Sequence, residues 1–89
     1  MAIDPAFLSV KTTFNQRGIL STVYYQKRPI FKAYISESCQ SLTECPQKPE
    51  SIKLYDPVIR EVVELVLQKQ QQAEKKRQAL KASVSEINF

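Results

Sequence analysis

Residues 56–84 carry one helical pattern that, after Pro57, contains neither glycine nor proline. In a chain this short, everything else must pack around it. Asp56 suits the N-cap, because its carboxylate can accept an orphan N–H of the first turn. Pro57 falls at the first helical position, where a missing N–H costs nothing. Glu61 and Glu64 lie toward the positive end of the helix dipole and the lysines gather toward the negative end. At 1.5 Å per residue the segment is roughly 42 Å long. Its first half is apolar over a wide face (Val58, Ile59, Val62, Val63, Leu65, Val66, Leu67), and its second half is glutamine and lysine with a thin apolar thread. The first half is therefore expected in a core, and the second half is expected to reach beyond it.

The partner of that apolar face is legible upstream. Phe7 to Phe14 alternates with period two, which predicts a half-buried strand. Asn15-Gln16-Arg17-Gly18 supplies a turn, with Asn at its first position and the chain's only glycine at its last. Reading Gly18 as the left-handed residue of a G1 bulge places Asn15 opposite Ile19 and Phe14 opposite Leu20. A second hairpin through Lys27-Arg28, with Gln26 opposite Pro29, joins Gly18–Gln26 to Pro29–Ser36. The core face of the resulting sheet is then Leu8, Val10, Phe14, Leu20, Tyr24, Phe31, Ala33 and Ile35, with Thr22 among them. Pro29 cannot donate to a ladder, which assigns it to the start of an edge strand.

The second face of that sheet would carry Ser9, Lys11, Thr13, Ile19, Ser21, Val23, Tyr25, Ile30, Lys32, Tyr34 and Ser36. It is too apolar for a plain solvated surface and too polar for a core, and the tyrosines Tyr25 and Tyr34 suit a binding surface. Residues 37–54 read as a connection. Ser41-Leu42-Thr43-Glu44 resembles a capping box, but Cys45-Pro46 stops any helix after one turn. Some extended backbone is expected near Ser51–Leu54.

The fold class is thus α+β: a three-stranded antiparallel meander packed on one long C-terminal helix that overhangs the sheet. A seven-residue strand spans about 23 Å, roughly half the helix, so the overhang should begin at Gln68. Residues 1–6 are expected to be a disordered or cloning-derived terminus, 7–67 the core domain and 68–89 a protruding basic extension. The overhang has a seam. Ile59, Val66, Ala73, Leu80 and Ile87 recur every seven residues, with Val63, Gln70, Arg77 and Val84 in the alternate set, a heptad pattern with two polar interruptions.

The formal charge of +4 also belongs to this half of the helix, where Lys69, Lys75, Lys76, Arg77 and Lys81 face a single Glu74. Such a stretch suits an acidic partner or a solvated surface. With 89 residues and no histidine, the chain lacks the usual base near neutral pH, a phosphate-binding glycine loop and the ligands of an ordinary zinc site. Catalysis, metals and cofactors are accordingly not expected. Cys39 and Cys45 are read as reduced cysteines rather than a disulfide framework. The chain shows no secretory signal and no membrane-spanning stretch, so a cytoplasmic protein is expected.

A domain of this size gains stability by oligomerising. The leading expectation is a small protein-interaction or assembly module, a homodimer first of all, that self-associates through a sheet face or the helix. A protein partner on the helix is the related case. Its interface residues would be Val66, Ala73, Leu80 and Val84 on the helix, with Tyr25 and Tyr34 on the sheet. The alternative is a nucleic-acid-binding accessory protein with Lys75, Lys76, Arg77 and Lys81 on phosphates.

Overall fold

The computed structural model of the chain describes residues 3–87, with side chains through residue 80. It is an α+β domain of one open sheet and one helix. The strands are β1 (Leu8–Phe14), β2 (Gly18–Tyr25), β3 (Arg28–Ser36) and β4 (Gln40–Glu44), followed by α1 (Pro57–Ile87). The sheet is an antiparallel meander in the order β1-β2-β3-β4, so β1 and β4 are its two edges.

The fourth strand departs from the sequence expectation of a single helical turn. Leu42 pairs with Ala33 and Gln40 with Ile35. Gln40, Leu42 and Glu44 alternate with Ser41 and Thr43, a period-two pattern that suits an edge strand and that the capping-box motif obscured. Cys45 N–H continues the pairing to the Ile30 carbonyl at 2.9 Å, before Pro46 ends it.

The register of β2 also differs, by one residue, and so its side chains exchange faces. Phe14 pairs with Ile19, not Leu20. Asn15 Oδ1 accepts the N–H groups of Arg17 at 2.9 Å and Gly18 at 2.8 Å, closing a tight turn without a bulge. Gly18 does not have a positive φ. Glycine is required there for space, because a Cβ would collide with the Ile35 carbonyl oxygen and stand 2.9 Å from the Tyr34 hydroxyl. At the second hairpin the turn residues are Gln26 (φ 50°) and Lys27 (φ 67°), one position earlier than expected. The register then shifts so that Tyr24 pairs with Pro29 and Val23 with Phe31. The two displacements compensate, leaving β1 and β3 on the expected faces and β2 reversed. Ile19, Ser21 and Val23 face the helix in place of Leu20, Thr22 and Tyr24, and all three are buried.

The core joins this face to α1. Val23, Ile30, Phe31, Ala33, Ile52, Ile59, Val63 and Val66 form one buried cluster, against which Ile3, Leu8, Tyr25, Leu42, Val62 and Leu67 pack. Ile30, assigned by sequence to the second face, is fully buried at the irregularity that follows Pro29. Ile52 comes from the connection, held by turns at Cys45–Lys48 and Pro49–Ile52 and by Lys48 Nζ donating to the Ile52 carbonyl at 2.6 Å. Nor are residues 3–6 a detached terminus. Ile3 reaches the core, Asp4 caps a 3-10 turn over Pro5–Phe7, and the Phe7 ring meets Tyr25 edge-on with centroids 6.2 Å apart.

The helix begins as the sequence predicts, with Asp56 Oδ1 accepting Val58 N–H at 2.9 Å. It keeps contact with the sheet well past Gln68, as far as Arg77, whose Nη1 donates to the Gln16 carbonyl at 3.1 Å. The turn at Gln26-Lys27 puts two side-chain-bearing residues in the left-handed region. Replacing the pair by Asn-Gly should therefore raise stability by roughly 1 kcal/mol, read as a higher urea midpoint at unchanged slope.

Candidate functional site: an apolar groove beside an edge strand

The heptad seam packs on the sheet. Its members Ile59, Val63, Val66 and Gln70 are buried and Ala73 and Arg77 are partly buried, with Glu74 buried beside them. The two polar interruptions have specific partners. Gln70 Nε2 donates to the Ala33 carbonyl at 2.7 Å and lies 3.4 Å from the Ile19 carbonyl, clamping the helix onto β2 and β3. Arg77 forms a two-pronged pair with Glu74, Nε to Oε2 at 2.9 Å and Nη2 to Oε1 at 2.6 Å, while reaching the β1–β2 turn. The Glu74 hydrogen bond raises the guanidinium above its ordinary value, against the opposing effect of burial, so Arg77 is a fixed cation.

The two flanks of the helix differ. On the β4 side Gln40 closes the gap: its Nε2 donates to the Leu67 carbonyl at 3.2 Å and to Gln70 Oε1 at 3.3 Å, and its Oε1 accepts from Gln71 at 2.9 Å. On the β1 side nothing comparable closes it among the described residues. A groove of about 470 Å³ runs between β1 and α1, lined by Val10, Thr12, Phe14, Ile19 and Ser21 from the sheet and by Val62, Leu65, Val66, Lys69, Gln70 and Ala73 from the helix. Phe14 is 66% exposed, Leu65 49% and Val10 44%, a concentration of large apolar side chains on the two walls of one groove.

The sequence-predicted interface residues fall in different parts of the fold. Val66 belongs to the core, Ala73 lines the groove and Leu80 is exposed on the helix. The Val84 side chain lies outside the described residues. Tyr25 and Tyr34 do not share a face, because the slip in β2 turns Tyr25 toward the core while Tyr34 stays on the open face beside Gly18. The predicted phosphate contacts also divide. Lys75 and Lys76 are exposed, Arg77 is committed to Glu74 and the turn, and the Lys81 side chain lies outside the described residues.

Sequence reasoning placed Val10 and Phe14 on the helix side of the sheet but treated them as covered. The signal that they are uncovered is geometric: one helix is too narrow for the whole sheet.

No protein-family model, curated protein or solved structure matches the chain. Among the described residues, no group of three or more His, Cys, Asp or Glu is placed to hold a metal ion, and no helix is long and apolar enough to cross a membrane. Cys39 is exposed and Cys45 buried, and neither is in a disulfide.

Gln70 is the polar clamp that sets the helix over β2 and β3. Its replacement by leucine should cost about 1–2 kcal/mol in denaturant unfolding, with Gln70→Glu costing more because a carboxylate would then face two carbonyl oxygens.

Proposed function

We propose that the chain is a small assembly module that self-associates by covering the groove between β1 and α1. The observation that carries this reading is that Val10 and Phe14 on the strand side of the groove and Leu65 on its helix side are all large, apolar and exposed. At roughly 25 cal/mol per Å², covering such side chains is the largest favourable term this surface can offer a partner. The fold gives a second reason. A single two-layer unit of 89 residues buries a modest core, and association is a common way for so small a domain to enlarge it.

The helix seam offers less to a partner than the sequence suggested. From Ile59 to Arg77 it is already engaged with the sheet, so a coiled coil along those turns would have to displace Gln70 from the Ala33 carbonyl. Among the described side chains, Leu80 is the exposed apolar residue that continues the seam. The basic residues Lys75 and Lys76 keep this part of the helix soluble and leave the groove as the surface that drives association.

The test is mass by light scattering across a concentration series of the full chain. The wild type should exceed its 10.2 kDa monomer mass at high concentration. Leu65→Glu should weaken association at least about tenfold while changing folding stability by no more than roughly 0.5 kcal/mol, since the side chain is half exposed. A monomer at every concentration contradicts the proposal.

A further inference from the structure

The groove is bordered by an edge strand whose backbone points the same way as its apolar side chains. The Asn15 N–H donates to the Gly18 carbonyl, and the Gln26 N–H donates to the Phe7 carbonyl. With the unbroken β1–β2 register between them, these bonds fix the phase of the strand. Ser9, Lys11 and Thr13 direct their N–H and C=O groups to β2, and Val10, Thr12 and Phe14 direct theirs outward, away from the sheet. The residues with free backbone groups are the residues lining the groove.

The two edges of the sheet are treated differently. β4 is short, carries Glu44 in an ion pair with Lys48 at 3.1 Å, and runs into Pro46. Those features blunt an edge. β1 has seven residues, no proline, no bulge and a single charge, Lys11, on the open face. Monomeric proteins rarely leave such an edge flat and unguarded.

We infer that β1 pairs with β1 of a second copy, antiparallel about a two-fold axis, joining two sheets into one and two grooves into one shared trough. This mode rests on the assembly reading above and specifies its contact. The strand's own sequence selects the register. Centring on Lys11 would set Lys11 against its counterpart, and like charges directly opposite are unfavourable. Centring on Val10 would leave Phe14 opposite Ala6, which lies in the 3-10 turn and offers no strand. Centring on Thr12 sets Val10 opposite the second copy's Phe14, Lys11 opposite its Thr13 and Thr12 opposite its Thr12. Each of these is a favourable cross-strand pair or a neutral one.

In this register Val10, Thr12 and Phe14 bond to the second copy through their outward N–H and C=O groups, and the two exposed phenylalanines are covered. Closure follows from the same asymmetry: the joined sheet ends in β4 at both sides, the protected edge, so growth stops at two copies.

Engineered cysteines read the register directly. In a Cys39→Ser background, which removes the exposed native thiol, Thr12→Cys places two thiols across the axis, at the Cα spacing of about 5.5 Å that a disulfide accepts. Val10→Cys lies on the same edge but far from its counterpart. Under mild oxidation Thr12→Cys should cross-link at least about tenfold faster than Val10→Cys, with wild-type chain giving twice the monomer mass in solution. A second route uses Val10→Lys and Phe14→Glu: each alone should be monomeric, and an equimolar mixture should recover a heterodimer. A wild-type dimer with equal or reversed cross-linking rates, or a mixture that fails to associate, overturns the strand pairing and leaves groove-mediated assembly standing. A wild-type monomer at all concentrations overturns both.

Discussion

A helix with its side chains is about 10 Å across, and neighbouring strands are about 4.8 Å apart, so one helix covers about two strands. In this four-stranded sheet the covered pair is β2 and β3, where the buried row of Ile19, Val23, Phe31, Ala33 and Ile35 lies. The outer strands must be managed in other ways. On one flank Gln40 bridges to the helix with polar bonds, and on the other Val10 and Phe14 are left exposed beside Leu65. The groove is thus a consequence of having one helix for four strands, and its position follows from which two strands that helix covers.

The seating of the helix is specified by polar groups as much as by apolar ones. Ile59, Val63 and Val66 supply the buried contact, but hydrophobic burial is non-directional and tolerates sliding. Gln70 removes that freedom by donating to the Ala33 carbonyl, and Arg77, two turns further along, ties the helix to the β1–β2 turn through Gln16. Buried amide and guanidinium groups without partners would be costly, so the arrangement in which they are satisfied is favoured over displaced ones. No buried side-chain polar atom among the described residues lacks a partner.

Much of this was legible in the sequence, and the parts that were not share a physical cause. Asp56 and Pro57 announced the helix start through local chemistry, and the cap forms as read. The period-two pattern gave β1 and β3 their faces. The face of β2 depended on two turns, and there the residue types misled. Gly18 suggested a left-handed bulge but is needed for clearance from Ile35 and Tyr34, while Gln26 and Lys27 adopt the left-handed conformations that glycine or asparagine would advertise. β4 was hidden by a capping-box motif. The reading of Gln70 and Arg77 as flaws in a coiled-coil seam had the spacing right and the partner wrong, since a stripe at helical period fits a sheet as well as another helix. The exposure of Val10, Phe14 and Leu65 was not readable from periodicity, because which strands a helix covers depends on the width of the sheet.

The most direct measurement is backbone amide hydrogen exchange along β1, followed residue by residue at low and high protein concentration. Ser9, Lys11 and Thr13 bond within the sheet and should be protected throughout. Val10, Thr12 and Phe14 should exchange freely in dilute solution and become protected as concentration rises, giving a period-two pattern that appears only with association. If these three amides stay unprotected at every concentration, including where the protein associates, β1 does not meet a second copy.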